Sequence, residues 1–240
     1  MFGTRAVLEA IRAGKALDKI FIQKGLSNQL FHELRKELQG KNVPYQIVPP
    51  EKLNRLCPQK NHQGVIAILA EITYHKTEDL LAGIFESGKI PLLLILDKVT
   101  DIRNFGAIAR SAECAGVDLI IIPEQGAAPV NADAIKTSAG ALHRIPVCRE
   151  RNLKESLDLI KQSGIQILAC HEKTENLIYS ADFKLPTAII MGSEESGISS
   201  EYLKKCDDQV KIPMPGTIAS LNVSVATGII LFEAIRQRIR

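Results

Sequence analysis

Four short and almost wholly apolar runs, Leu92 to Leu96, Leu119 to Ile122, Ile165 to Ala169 (with Gln166 the one polar residue) and Ala188 to Met191, constrain the fold more than any other feature of this chain. A strand with no alternation of apolar and polar side chains has to be buried on both faces. A sheet acquires two covered faces when its strands are parallel and joined by helices. The intervening segments fit that demand. Gly106 to Ala115 and Leu153 to Gln162 carry helical spacing, Ala132 to Ser138 and Ser200 to Lys205 read as shorter helices, and Gln209 to Ile212 reads as one more strand before a terminal helix. The expectation from Ile90 onward is α/β with a parallel sheet, and in such sheets ligands sit beyond the carboxyl ends of the strands.

The first third of the chain reads as a small α/β unit of its own. Ala6 to Ala13 is a helix ended by Gly14, Lys19 to Gln23 a strand, and Asn28 to Leu38 a helix closing at Gly40. Tyr45 to Val48 is a second strand, Pro50 opens a short helix, and Gly64 to Ala70 is a third strand. The polar turn Asn61-His62-Gln63-Gly64 is either a plain loop or a surface for contacting RNA. Composition shifts at residues 71–90, where polar residues precede a weak helix around Leu80 to Phe85, so the domains are drawn as 1–72, a connector at 73–89, and 90–240. A chain of 240 residues is comfortable as two such domains.

Charge and cysteine content narrow the function classes. Residues 1–75 hold 11 Lys and Arg against 6 Asp and Glu, a net of +5, whereas residues 76–240 hold 19 against 21, a net of −2. A basic N-terminal part is compatible with contacting phosphates and equally with an ordinary solvated surface. The five cysteines lie far apart with no CxxC, which argues for reduced, mainly buried thiols. No apolar run approaches the ~18 residues of a membrane span, and Met1 to Arg5 leads straight into an amphipathic pattern, so a cytoplasmic protein is expected. The absence of any GxG excludes the usual dinucleotide and phosphate-binding loops. Dispersed histidines without an HxxxH or a Cys/His array argue against a metal site.

Three strand ends carry unusual polar chemistry. After the first apolar run comes Asp97-Lys-Val-Thr-Asp-Ile-Arg-Asn104-Phe-Gly106-Ala-Ile-Ala-Arg110. Here Asn104 stands where a helix cap would, Gly106 permits close approach, and Arg110 follows a stretch too apolar for an ordinary surface. An Arg so placed wants a phosphate or a carboxylate. After Ala188 to Met191 comes Gly192-Ser-Glu194-Glu-Ser-Gly-Ile198, in which Gly192 would let a ligand come against the backbone and Glu194 could accept from Arg110 or Asn104. The third is Lys211-Ile212-Pro-Met214-Pro-Gly216 leading to Ser220-Leu221-Asn222 and a nearly apolar helix, where Ser220 either caps the helix or holds a ligand.

Taken together, Asn104 to Arg110, Met191 to Glu194, and Ile212 to Gly216 with Ser220 to Ala226 resemble, in order, the three motifs of the SpoU (TrmH) family of SPOUT methyltransferases. The resemblance covers nearly the whole chain. Gly3 to Ile11 and His62-Gln-Gly64 are similar to the L30e-like RNA-binding domain that precedes the catalytic domain in one branch of that family, a branch that methylates a guanosine in the peptidyl-transferase P loop of 23S rRNA. One departure stands out: where many relatives read Gly-x-Glu-Gly, this chain has Glu195 in place of the second glycine. A side chain is accommodated there only if the position does not need positive φ.

The resemblance implies a SPOUT catalytic domain whose C-terminal segment threads a trefoil knot, a rare exception to unknotted topology, preceded by the small L30e-like α/β domain. It implies S-adenosylmethionine as cofactor, lined by Gly192, Ile212, Met214 and Leu221, and a catalytic set of Asn104, Arg110, Glu194, Ser220 and Asn222. It also implies a homodimer, no metal and RNA as substrate. Two other readings remain: a tRNA ribose 2′-O-methyltransferase of the same family, and a noncatalytic RNA-binding or ribosome-assembly protein. Against the second stands the retention of Arg110, Glu194 and Asn222 together.

Overall fold

All four apolar runs are strands, and they lie side by side at the centre of one parallel sheet. The structure, a computed structural model, describes residues 1–41, 45–58, 60–218 and 220–239. The chain divides into two units, Met1–Thr73 and Tyr74–Arg240.

The first unit contains α1 (Thr4–Arg12), β1 (Leu17–Gln23), α2 (Gln29–Lys41), β2 (Tyr45–Val48), α3 (Pro50–Leu56) and β3 (Val65–Leu69). Its sheet has the order β2-β1-β3, with β2 parallel and β3 antiparallel to β1. Alternation along β1 splits the core in two. Ile20 and Ile22 pack with Val7, Leu8 and Ile11 of α1 and Leu34 and Leu38 of α2, while Phe21 faces the other way toward Val48, Leu53 and Ile66.

The second unit runs β4 (Tyr74–His75), α4 (Thr77–Glu86), β5 (Leu92–Leu96), α5 (Ile102–Cys114), β6 (Leu119–Pro123), α6 (Ala132–Thr137), β7 (Val147–Glu150) and α7 (Leu153–Gln162). It continues with β8 (Gln166–Cys170), β9 (Thr187–Met191), α8 (Ser200–Leu203), β10 (Asp208–Val210) and α9 (Val223–Arg238). The seven strands pair in the order β10-β8-β9-β5-β6-β7-β4, every pair parallel. On one face Leu93, Ile95, Ile121, Ile167 and Ile190 pack with Leu81 of α4 and Leu153, Leu157 and Ile160 of α7. The opposite face, Leu92, Leu94, Leu96, Ile120 and Ile122, is equally buried. It is left to α5, α6 and α9, which pack on one another.

Two expectations need correction. From Tyr74 onward the stretch drawn as a connector at 73–89 is part of the second unit: Tyr74 and His75 pair with Val147 and Cys148, and α4 packs on α7. Glu150 holds that edge by accepting from the Thr77 backbone (2.7 Å), the Thr77 hydroxyl (2.8 Å) and Lys76 Nζ (3.3 Å). The polar composition there reflects an edge strand and an amphipathic helix, which need polar groups on their solvated sides. The other is β7, which pattern reading missed because Arg149 and Glu150 break its apolar run.

Candidate active site

Because all seven strands run the same way, their carboxyl ends gather the three polar turns along one edge of the sheet. Asp97, directly after β5, is buried and ties two of them: its backbone N–H donates to Met191 O (2.8 Å) and its Oδ2 accepts from Ser199 N (2.7 Å). Asp101 then caps α5 by accepting from the Asn104 backbone N–H (2.8 Å). This corrects the expectation that Asn104 is the cap. With Asp101 in that role, the Asn104 side chain projects from the first turn of the helix and is available for tertiary contacts.

The third turn is corrected in the same way. Asn222, not Ser220, caps α9, its Oδ1 accepting from Ser224 N (3.0 Å) and Val225 N (3.4 Å). The cap leaves the amide nitrogen of Asn222 facing the other turns. It donates to Asn104 Oδ1 (2.9 Å) and to Glu194 Oε1 (2.6 Å). That same Glu194 oxygen accepts from Asn104 Nδ2 (3.2 Å) and from Val223 N (3.1 Å). Three donors, one of them a backbone N–H at the start of α9, therefore converge on one carboxylate oxygen and fix its position. Of the two partners expected for Glu194, Asn104 is in contact. Arg110 is exposed and makes no ion pair or hydrogen bond among the described residues.

Gly192 serves its own chain. A Cβ there would lie 2.1 Å from Gly197 C and 2.3 Å from Ile198 N, because residues 193–197 fold back in a tight turn closed by Gly197 N donating to Ser193 O (2.9 Å). The space that a Cβ would fill is taken by backbone, and Gly192 itself still lines the cavity described below. Gly106 likewise makes room for α6, since a Cβ would meet Thr137 Cβ at 2.7 Å. Within the 192–198 turn the residue with positive φ is Gly197, at 64°, and Glu195 is not among the residues in that region. The departure at Glu195 is therefore free of backbone strain.

Beyond these turns lies a cavity of about 310 Å³. Its walls include Gly192, Ile212, Met214 and Leu221, together with Met191, Ile198, Val223 and Ala226 on the apolar side and Glu194 and Ser220 on the polar side. A further wall, Cys170 to Lys173 at the end of β8, escaped sequence reading. Its signal was available: it is polar chain directly after a buried strand, like the three turns singled out. Burial pushes the Cys170 thiol up to about 12, so it presents a neutral S–H at neutral pH. His171 Nδ1 accepts from Lys173 N (3.2 Å) and so carries no proton, leaving Nε2 to donate to Gln209 Oε1 (2.8 Å). Among the described residues no group of three or more His, Cys, Asp or Glu is placed to hold a metal ion. No helix among them is long and apolar enough to cross a membrane.

A parallel sheet with a cavity beyond its strand ends, rimmed by a preformed carboxamide and carboxylate set, defines an α/β domain built to hold a small molecule beside a polar reaction centre. Residues 91–232 match the SpoU rRNA Methylase family, and residues 1–75 match the family described as RNA 2′-O ribose methyltransferase substrate binding. The 23S rRNA (guanosine-2′-O-)-methyltransferase RlmB of Vibrio parahaemolyticus is 37% identical over 238 residues, covering 98% of this chain and 94% of that one. RlmB of Yersinia pestis is 36% identical over 220 residues, 92% of this chain and 89% of that one. Among solved structures, the SpoU methyltransferase AviRb from Streptomyces viridochromogenes in complex with AdoMet superposes with a TM-score of 0.63 at 25% identity, covering 99% of this chain and 89% of that one. The A. aeolicus TrmH/SpoU tRNA modifying enzyme gives 0.58 at 34% identity over 62% of this chain and 76% of that one. The chain belongs to the SpoU methylase family.

Proposed function

We propose that this protein is an enzyme that transfers a methyl group from S-adenosylmethionine to a ribose 2′-hydroxyl of RNA, and that its target is a guanosine in the P loop of 23S rRNA. The observation that carries the reading is the joining of Asn104, Glu194 and Asn222 at the rim of a cavity lined by Gly192, Ile212, Met214 and Leu221. Family membership and the RlmB relatives support the substrate.

The residues present fit the cofactor. A cavity of about 310 Å³ is within the range of small-molecule sites. Its apolar wall of Met191, Ile198, Ile212 and Leu221 suits a flat base, and its polar wall suits an amino-acid end. When bound there, S-adenosylmethionine supplies an electrophilic methyl carbon on a positively charged sulfur. The chain's own residues do the rest. Arg110 is not the base, because a guanidinium stays protonated in proteins and has no lone pair to accept a proton. It is exposed and without a described partner, and so is free to hold the phosphate beside the target ribose and stabilise the developing alkoxide. Glu194 and Asn104 orient the reacting centre, and Ser220 or Asn222 contacts the ribose.

Further parts of the reading rest on narrower observations. Residues 1–72 bind the RNA, supported by the family match there and by the +5 charge of residues 1–75. The trefoil knot is supported by the segment 176–185, which is held from two sides. Lys211 N donates to Asn176 O and Lys211 O accepts from Ile178 N, while Gln237 and Arg238 bond Ala181 and Phe183. Pairing of two copies is supported by exposed Val225, Ile229 and Phe232, which form one apolar stripe on α9. A cytoplasmic location belongs to the same reading and is supported by the rRNA methyltransferase relatives.

The test is methyl transfer from labelled S-adenosylmethionine to 23S rRNA and to bulk tRNA in parallel, with the product mapped by primer extension. A single stop at a P-loop guanosine is expected. Label in tRNA alone would move the substrate to the second reading, which the likeness to the tRNA modifying enzyme favours. No transfer and no cofactor binding would leave a noncatalytic RNA-binding protein.

A further inference from the structure

Glu195 lies in the turn after β9, and its backbone needs no positive φ. The position therefore carries its charge at no conformational cost, and the charge lines the cavity. Glu172, at the end of the neighbouring strand β8, lines the same cavity. Both are exposed, and neither makes a hydrogen bond or an ion pair among the described residues. Glu194, also in the wall, is occupied by Asn104, Asn222 and Val223. The one cationic side chain in the lining is Lys173, and Cys170 contributes a neutral thiol. Two of the cavity's three carboxylates therefore have no task in holding the fold.

We propose, resting on the methyl-donor reading above, that Glu195 and Glu172 make the cavity charge-selective, favouring the cationic donor over the neutral thioether left after transfer. In the reaction the 2′-oxygen bonds to the methyl carbon, the carbon–sulfur bond breaks with its electron pair going to sulfur, and the hydroxyl proton passes to solvent. The donor enters with a positive sulfonium and a positive ammonium against one carboxylate, net +1, and leaves as S-adenosylhomocysteine, net zero. Two carboxylates without partners attract the first and are indifferent to the second. The loss of the methyl group itself thus weakens the hold of the cavity on what remains. Such an attraction acts through partly solvated space, so it is screened by salt.

The experiment is calorimetric measurement of Kd for S-adenosylmethionine and S-adenosylhomocysteine with the wild-type protein, Glu195→Gln, Glu172→Gln and the double variant. Circular dichroism serves as the control for folding. Each single change is expected to weaken binding of the donor by about two- to fivefold, the scale of an exposed charge pair, with binding of the thioether unchanged and the double variant additive. Raising salt from about 0.1 M to about 1 M, over which the Debye length shrinks from about 10 Å to about 3 Å, should reduce the wild-type preference and leave the double variant unaffected. An unchanged ratio of the two constants in the double variant overturns the inference, as does parallel weakening of both ligands. Binding of neither ligand by the wild-type protein would overturn the methyl-donor reading itself and this inference with it.

Discussion

Asn222 holds Glu194 with one end of its amide and the start of α9 with the other: Nδ2 donates to Glu194 Oε1 at 2.6 Å while Oδ1 accepts from Ser224 N at 3.0 Å. One side chain thereby fixes the terminal helix, the turn after β9 and, through Asn104, the start of α5.

That double role separates by substitution. Asn222→Ala should cost about 1 kcal/mol of stability, the usual loss for a removed cap. It should also lower kcat for methyl transfer, because Glu194 loses a donor. Asn222→Ser retains a capping oxygen but cannot reach both Asn104 and Glu194. It should recover most of the stability and little of the activity, as read by thermal denaturation alongside the transfer assay.

In the proposed chemistry Arg110 contacts the RNA through a planar fork of donors rather than through charge alone. Arg110→Lys should lower kcat by about tenfold or more, with cofactor affinity measured by calorimetry unchanged. Turnover close to the wild-type value would remove the forked contact from the proposed chemistry.

Arg238 donates to four backbone carbonyls, Phe183 O (2.7 Å), Ile90 O (2.8 Å), Pro91 O (3.0 Å) and Leu185 O (3.0 Å). Burial lowers its pKa from the ordinary value, yet the residue lies just ahead of both β5 and β9 and fastens α9 to the starts of the two central strands. Arg238→Ala should destabilise the second unit by about 2 kcal/mol, the scale of hydrogen bonds to a charged group. Arg238→Lys should recover only part of that. The unfolding transition of that unit in urea provides the measurement.

Burial pushes the thiols of Cys148 and Cys170 up to about 12. In the unfolded chain such thiols ionise near pH 8.5. Between those values the unfolded state has released protons that the folded state keeps, so stability is flat in this respect below about pH 8.5 and falls as pH rises toward about 12. Each thiol contributes a slope of about 1.4 kcal/mol per pH unit within that window. Urea midpoints measured at about pH 8 and about pH 10 should diverge less in a Cys148→Ala, Cys170→Ala variant.

The parallel sheet was legible because β5 and β6 are apolar throughout and β8 and β9 are apolar after their first residue, a pattern with few other solutions. β7 was not, because Arg149 and Glu150 serve the two-residue edge strand beside it and look local in sequence. The caps were misplaced by two or three residues for a related reason. Asp101 and Asn104 are both competent caps, as are Ser220 and Asn222, and the choice is made by Glu194, ninety residues from Asn104 along the chain. The residues of the three turns were visible as chemistry, but the cavity wall at Cys170 to Lys173 becomes apparent only when β8 lies beside β9.

The cavity draws its walls from Cys170 through Ala226, and the far end of α9 is fastened when Arg238 reaches its carbonyls. During synthesis the sheet can therefore assemble most of its strands while the binding site does not yet exist. A nascent chain halted short of α9 would have strands but no place for a donor. Ligand binding in this protein therefore waits for the segment that closes the cavity rather than growing strand by strand.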